Sequence, residues 1–162
     1  MMRRRSVIVL VRAAAVLAAC LGIDRLAVVP LRSNLVLREV EQRTVTARMV
    51  DTQRAAVLAR MNLDQLQRTA AGGRLDPSWY LLRGANCELL ERWQEAADAY
   101  TEALRIDDRP EIYFNRGMVM IRVGRIDAAV RDLTKAARFD PNVLNQIDGE
   151  IRRRVAPAAG LP

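Results

Sequence analysis

Apolar residues recur along this chain at spacings of three and four residues, which is the period of an amphipathic α-helix. Six segments follow this pattern, and they cover residues 33–50, 52–71, 77–90, 93–106, 110–123 and 126–139. Residues that start and stop helices separate the segments. Asp51 or Thr52 can cap the second segment, the pair Gly72 and Gly73 ends it, and Pro77 opens the third. The pattern predicts an all-α chain of successive helical hairpins.

Four positions of one hairpin return in the next hairpin at one fixed offset. The matched positions are Gly84 and Gly117, Ala96 and Ala129, Tyr100 and Leu133, and Ala103 and Ala136. Small residues at matched places are typical of stacked helical-hairpin repeats, because they let helices approach closely. We expect the glycines and the first alanines to lie between the two helices of a hairpin. The two large residues, Tyr100 and Leu133, are expected to fill the space between hairpins.

The segments on either side of the two repeats lack these matched residues. Residues 31–76 have the spacing of a helical pair, and we interpret them as a degenerate repeat or cap. Residues 142–156 carry an apolar face and predict a helix that caps the other end; its apolar residues are Val143, Leu144, Ile147, Ile151 and Val155. Arg152, Arg153 and Arg154 are expected on its solvent side. Residues 157–162 are expected to form a flexible tail.

The amino-terminal segment 1–30 has the composition of a signal anchor or transmembrane segment. Arg3, Arg4 and Arg5 precede an apolar stretch at 7–23, whose length is near the lower limit for a membrane-spanning helix. Because basic residues stay on the cytoplasmic side, the cluster predicts that the remainder of the chain crosses the membrane.

Two other interpretations of this segment stay open. Residues 17–20 end in Cys20 and resemble the bacterial lipobox, which makes Cys20 a candidate lipidation site. Arg12 interrupts the apolar stretch, and the residues after Cys20 remain apolar, which both argue against a lipoprotein. Cleavage by an ordinary signal peptidase near the alanines is the third alternative.

The net charge of +7 does not indicate nucleic-acid binding. The repeat region 77–141 holds ten basic and eleven acidic residues, with both signs interleaved. Nucleic-acid binders concentrate positive charge on the domain that binds. The basic excess lies mainly at the amino terminus, where membrane topology explains it.

The residues needed for common catalytic and metal sites are missing from the sequence. The chain has no histidine, which removes the usual general base and most zinc sites. Cys20 and Cys87 are far apart, and Cys87 is expected to be a small buried apolar group in a helix. Acidic residues such as Glu88 are expected on solvent faces. We therefore predict a protein that is not an enzyme and needs no cofactor or metal.

The two repeats resemble the tetratricopeptide repeat family. Tyr80 and Tyr113 stand at the first aromatic position of that family, and Trp93 at the aromatic that begins the second helix. Pro141 matches the closing proline, and we add it to the packing positions of the repeat. The resemblance covers about residues 77–141, as units 77–109 and 110–141.

Several positions depart from the family pattern. Arg83 and Arg116 stand where leucine is usual, and Cys87 and Met120 where tyrosine is usual. Asp108 replaces the closing proline of the first unit, and the period is slightly shorter than the family's length of about 34 residues.

The resemblance implies a concave groove lined by the first helix of each unit. The groove residues that it implies are Leu81, Ala85, Glu88, Leu89, Phe114, Met118, Ile121 and Arg122. This set is largely apolar and lacks the lysines and asparagines with which family members clamp a partner's terminal carboxylate. The alternative is that the chain's own helices at 33–71, or its tail helix, bury the groove.

The resemblance and the amino-terminal segment together predict a protein-binding adaptor or scaffold. It is expected to be a single-pass protein of the bacterial inner membrane, with its repeat domain in the periplasm. A lipoprotein attached through Cys20 is the alternative for its location. A structural subunit of a membrane complex, or an outer-envelope assembly factor, is the alternative for its function. Its partner is an unidentified protein, and its oligomeric state is not predicted.

Overall fold

The computed structural model describes residues 29–70 and 76–161, and all the regular structure within them is helical. Seven α-helices are described, with a 3₁₀-helix at Pro141–Gln146 between the last two. The α-helices are α1 Val29–Ala47, α2 Thr52–Ala70, α3 Pro77–Leu89, α4 Trp93–Leu104, α5 Pro110–Arg122, α6 Ile126–Phe139 and α7 Gly149–Ala159. The prediction of an all-α chain is confirmed for these residues.

The helices pack as three successive hairpins and a carboxy-terminal cap. The hairpins are α1 with α2, α3 with α4, and α5 with α6, and each second helix also contacts the first helix of the next hairpin. Helix α7 and the 3₁₀-helix pack on α6. Helix α1 also contacts α3 directly, so the first helices of the first two hairpins lie side by side.

Aspartates fix the starts of several helices. The Asp51 carboxylate accepts a hydrogen bond from the Arg54 amide at 3.0 Å, and Asp76 accepts one from the Trp79 amide at 3.1 Å. Each bond satisfies an amide that has no partner inside the helix. Pro77 follows Asp76 at the first helical position, where its missing N–H leaves no bond unmade. The second and third helices therefore begin where the sequence predicts.

The turns inside the last two hairpins have the same backbone geometry at the same repeat position. Glu91 has φ of 56°, and Gly124, at the matched position of the next unit, has φ of 76°. Beyond them, the Arg92 amide donates to the Cys87 carbonyl at 2.9 Å and the Arg125 amide donates to the Met120 carbonyl at 2.8 Å. Glycine adopts this left-handed conformation without strain, whereas a glutamate does so at an energetic penalty.

The two repeat glycines lie directly beneath large side chains of their own hairpins. A Cβ added to Gly84 would stand 2.5 Å from Cε1 of Tyr100, and one added to Gly117 would stand 2.8 Å from Cγ of Leu133. Tyr100 and Leu133 therefore fill space within a hairpin as well as between hairpins. All four matched alanines are buried around them: Ala96, Ala103, Ala129 and Ala136.

A buried polar network joins the first hairpin to the second. The Asn86 side-chain amide donates to Thr44 Oγ1 at 2.9 Å, and the Asn62 amide donates to Asn86 Oδ1, also at 2.9 Å. Thr44 Oγ1 itself donates to the Val40 carbonyl at 2.8 Å. The three side chains come from α1, α2 and α3 and are all buried. Since buried polar groups are expensive to leave unpaired, this network fixes the register of three helices.

Trp79 strengthens the same junction. Its ring is buried among Val40 and Leu66, and its indole N–H donates to the Leu66 carbonyl at 2.8 Å. That carbonyl lies about one turn before the end of α2 at Ala70. Trp79 therefore ties the end of α2 to the start of α3.

Arg116 joins the second hairpin to the third by a hydrogen bond and forms an ion pair within the third. The Arg116 guanidinium donates two bonds to the Asp132 carboxylate, at 2.7 and 2.8 Å, and a third to Thr101 Oγ1 at 3.2 Å. The Arg116 and Asp132 side chains are only 20% and 9% exposed. Bidentate geometry and partial burial make this pair stronger than a typical surface pair. Arginine at a position where the family usually has leucine thus links α4, α5 and α6.

The carboxy-terminal cap differs from the predicted single helix at 142–156. Residues 141–146 form a 3₁₀-helix, Ile147 is extended, and α7 runs on to Ala159, where a tail was expected. Asp148 caps α7 by accepting from the Glu150 amide, and Gly160 ends it with φ of 76°. Pro141 is exposed and opens the 3₁₀-helix, so it does not pack between hairpins. The five predicted apolar residues of the cap are buried, and the three arginines at 152–154 are exposed.

The predicted anchor at 1–30 lies almost entirely outside the described residues. In the ranges 29–70 and 76–161, no helix is both long enough and apolar enough to cross a membrane. Cys20 and the basic cluster at 3–5 also lie outside those ranges.

Substitution of the repeat glycines is expected to destabilise the fold in a defined order. Gly84→Ala should lower the free energy of unfolding by about 1–3 kcal/mol, because the new methyl group meets a rigid tyrosine ring. Gly117→Ala should lower the free energy of unfolding by less, since the leucine that the new methyl group meets can change rotamer. Gly149→Ala is the control, because a Cβ there has no neighbour within 4 Å. Urea denaturation measures all three, and equal effects at the three positions would contradict this packing.

Candidate interaction surface

A cleft of about 550 Å³ lies on the concave side of the stack, between the first helices of the three hairpins. Helix α1 forms one wall, α3 the floor, and the start of α5 the other wall. The cleft is lined by Asn34, Leu37, Arg38, Glu41, Thr44, Val45, Arg48, Asp76, Ser78, Leu81, Leu82, Ala85, Arg109, Glu111 and Asn115. Surfaces of this kind, concave and partly apolar, are the usual binding sites of proteins.

The floor of the cleft is apolar and its rims are charged. Helix α3 contributes Leu81, Leu82 and Ala85 to the floor. On the α5 rim, Arg109 pairs with Asp107 at 2.6 Å and with Glu111 at 3.1 Å. The charged groups of the α1 rim, at positions 38, 41 and 48, form no ion pair with any residue in the described ranges. The α1 rim therefore offers charges of both signs to a bound segment.

The structure places only two of the eight sequence-predicted groove residues in this cleft. These are Leu81 and Ala85. Leu89 is half-buried and does not line the cleft. Glu88 is also half-buried rather than solvated, and it accepts a hydrogen bond from the Tyr100 hydroxyl. The Arg122 guanidinium lies over the Trp93 ring, 5.7 Å from its centroid.

The remaining predicted groove residues are half-buried against a hydrophobic cluster that α5, α6 and the carboxy-terminal cap form together. Phe114, Met118 and Ile121 pack against the cluster that contains Val143, Leu144 and the buried side of α7. These three side chains are therefore partly used in packing within the chain. The open part lies towards the amino terminus, between α1 and α3.

The sequence prediction leaves out the α1 side of the cleft, because it makes residues 31–76 a degenerate repeat or cap. A signal was present: Arg38, Glu41, Val45 and Arg48 recur at spacings of three and four, apart from the core face at Val40. A second helical face of that kind indicates a helix with two different environments. Helix α1 packs on α2 and α3 with one face and borders the cleft with the other.

Burial is the main cause of raised pKa values at Glu88 and Tyr100, and the hydrogen bond between them modifies both. Burial raises the pKa of the Glu88 carboxyl above its ordinary value of 4.5, and the Tyr100 bond, with Arg48 and Arg122 nearby, opposes the rise. Burial and the adjacent carboxylate also raise the pKa of the Tyr100 hydroxyl far above its ordinary value. The hydroxyl therefore remains a hydrogen-bond donor at any physiological pH.

A smaller crevice of about 310 Å³ lies between α2 and α3 and is bordered by Trp79, Arg83 and Arg92. Cys87 forms part of it and is buried, as the sequence predicts, and burial raises the pKa of its thiol. The Arg83 guanidinium stacks on the Trp79 ring, 5.8 Å from its centroid. Within the described residues, no cluster of three or more acidic or cysteine side chains could hold a metal ion.

Solved structures share this arrangement of helices. The chain is similar to TTC0263, a thermophilic TPR protein of Thermus thermophilus, at 24% identity and a TM-score of 0.59, over 78% of this chain and 63% of that chain. It is also similar to MamA, at 15% identity and a TM-score of 0.51, over 76% of this chain and 75% of that one. The chain has the tetratricopeptide repeat fold.

Sequence comparison gives a shorter match. A stretch of 57 residues is 39% identical to the DnaJ homolog subfamily C member 7 homolog of Dictyostelium discoideum, covering 32% of this chain and 11% of that protein. The chain thus spans about a tenth of this curated relative and less than two thirds of the Thermus structure. No protein-family model matches it. The tetratricopeptide-like fold predicted from the residues is confirmed.

Replacement of Glu88 is expected to stabilise the protein in a pH-dependent way. Between pH 4.5 and the raised pKa of Glu88, the folded chain holds a proton that the unfolded chain has released. The contribution of Glu88 to stability therefore falls as pH rises through that window. Glu88→Gln removes this dependence, so its gain in unfolding free energy over the wild type should be small at acid pH and grow towards neutral pH.

Glu91→Gln is the matched control, since Glu91 is exposed in the turn after the same helix. The change in unfolding free energy caused by Glu91→Gln should stay small at every pH, because exposed charges contribute little to stability. Denaturation curves at a series of pH values measure both variants. A Glu88→Gln difference that does not change with pH would contradict the role assigned to burial.

Proposed function

We propose that this protein is an adaptor or scaffold that binds a protein partner in the cleft between α1, α3 and α5. The observation that carries the proposal is the open cleft of about 550 Å³ with its apolar floor at Leu81, Leu82 and Ala85. Its fold supports this function, since helical-repeat stacks present extended concave surfaces for binding. The proposed binding region comprises α1, α3 and the start of α5.

The shape and chemistry of the cleft fit a short segment of another protein. An amphipathic helix or an extended segment would place apolar side chains on the α3 floor. Its polar side chains would meet the charges of the α1 rim, where Arg38, Glu41 and Arg48 are available. The floor would provide affinity through burial of apolar surface, and the charged rims would fix the orientation of the bound segment.

Site-specific photo-crosslinking tests this assignment in cells. A photoreactive amino acid at Leu81, on the cleft floor, is expected to form a covalent adduct with one defined protein. The same group at Ala158, an exposed alanine on α7, is the control and should not form that adduct. Ala85→Arg should fill the cleft and abolish the adduct at Leu81, whereas Ala158→Arg should leave it intact.

Two outcomes would contradict the assignment. One is an adduct that forms equally well from both positions. The other is an adduct at Leu81 that persists when Ala85 is replaced by arginine.

We further propose that the repeat domain is tethered to the bacterial inner membrane and faces the periplasm. The support is the sequence of residues 1–30, where Arg3, Arg4 and Arg5 precede the apolar stretch at 7–23. Lipidation at Cys20 is the alternative tether. Either attachment would hold the cleft close to a membrane surface.

A topology reporter at the carboxy terminus tests the tether. An enzyme that is active only in the periplasm, fused after Pro162, is expected to be active and to sediment with membranes. Replacing Arg3, Arg4 and Arg5 by glutamate should lower the activity, because basic residues set the orientation. Cys20→Ala should leave the membrane attachment unchanged if the segment is an anchor, and should release the protein if it is a lipoprotein. An inactive wild-type fusion would contradict the proposed orientation.

A further inference from the structure

Two arginines at the same repeat position have different surroundings. Arg83 and Arg116 are matched between the two units, and Arg116 donates two hydrogen bonds to the Asp132 carboxylate. The residue that matches Asp132 in the first unit is Ala99, which is buried and has no polar side chain. Arg83 therefore lacks the carboxylate that its counterpart has.

The guanidinium of Arg83 instead borders the crevice between α2 and α3. It lies over the Trp79 ring, 5.8 Å from the ring centroid, and the side chain is half-buried. Within residues 29–70 and 76–161 it forms no ion pair. Contact with an aromatic face uses none of the five N–H donors of a guanidinium. Arg83 thus has donors available to a ligand that enters the crevice.

The other charges at the crevice leave it positive. Arg92 also borders it, and its guanidinium donates to both oxygens of the Glu95 carboxylate, at 2.6 and 2.5 Å. Arg83 lies near the same carboxylate, but the two bonds from Arg92 already engage both of its oxygens. Two guanidiniums and one carboxylate leave a surplus of positive charge, which favours an anionic ligand.

The wall of the crevice is mostly apolar. Helices α2 and α3 supply Leu63, Leu66, Ala70, Trp79 and Cys87 to it. Along α3 the wall extends four residues on either side of Arg83, which is about 6 Å in each direction at the rise of an α-helix. The volume of about 310 Å³ is at the lower end for small-molecule sites. The crevice therefore has room for a short apolar chain beside the guanidinium.

We propose that this crevice binds a small carboxylic acid with a short apolar chain. The carboxylate accepts two hydrogen bonds from Arg83, in the bidentate geometry that Asp132 provides for Arg116. The apolar chain lies against Leu66 and Trp79, where its burial adds to the affinity. The crevice shares no lining residue with the concave cleft, so the two sites are separate.

Fluorescence titration with hexanoate tests the site in the full-length protein, held in lipid nanodiscs. Trp93→Phe leaves Trp79 as the sole tryptophan, and its emission should change saturably as hexanoate binds. Arg83→Gln should raise the dissociation constant at least about tenfold, because charge-assisted hydrogen bonds are lost. Arg83→Lys should give an intermediate value, since lysine keeps the charge but not the planar fork. Arg60→Gln is the control, because Arg60 is exposed on α2 and does not line the crevice.

Hexanol has the same chain without the charge and should give no saturable change at the same concentrations. Nanodiscs without protein correct for partitioning into lipid, and circular dichroism checks that each variant keeps its helices. The proposal would be overturned by the absence of a saturable change with hexanoate, or by equal affinities for hexanoate and hexanol. An unchanged affinity in a folded Arg83→Gln variant would also overturn it. None of these results bears on binding in the cleft, which the Leu81 crosslink tests separately.

Discussion

Within the second and third hairpins, a large side chain of the second helix rests on a glycine of the first. Tyr100 lies on Gly84 and Leu133 lies on Gly117, and neither contact leaves room for a methyl group. This close approach sets the distance between paired helices, and hence the positions of the alanines around them. A change in that distance would displace the neighbouring contacts of the stack, because protein interiors are close-packed and transmit small displacements. The tyrosine adds a second constraint, since its hydroxyl donates a hydrogen bond to Glu88, one turn beyond Gly84 on α3.

The junctions between hairpins use two different kinds of polar contact. Between the first and second hairpins, Thr44, Asn62 and Asn86 form a buried neutral network. Between the second and third, Arg116 donates a hydrogen bond to Thr101, while its bidentate ion pair with Asp132 holds the arginine within the third hairpin. Thr44 also borders the concave cleft, so the network that holds α1 to α3 also sets the separation of the cleft's wall and floor. The shape of the candidate binding surface therefore depends on three uncharged side chains beneath it.

The sequence predicted the features that recur between repeats and those that start or end helices. The glycine and alanine positions, the starts of α2 and α3 at Asp51 and Asp76, and the burial of the cap residues all follow from spacing and residue type. The sequence could not show which of the predicted groove residues are open and which are partly buried. The spacing of Phe114 and Met118 is the same whether they face solvent or pack within the chain. The asparagine network was also hidden, since Asn62 and Asn86 are separated by 24 positions and polar residues in helices are usually exposed. Contacts between distant residues of ordinary type leave no local pattern.

The cap at the carboxy terminus also determines how an array of this kind can lengthen. The unit at 77–109 and the unit at 110–141 are related as products of duplication would be. A further unit placed after Phe139 would separate α7 from the hairpin it covers and expose the apolar side of the cap, including Val155. Leu35 and Val57, at the other end of the described stack, are exposed and are not covered by any described helix. Lengthening of the array after α6 would therefore require a new cap.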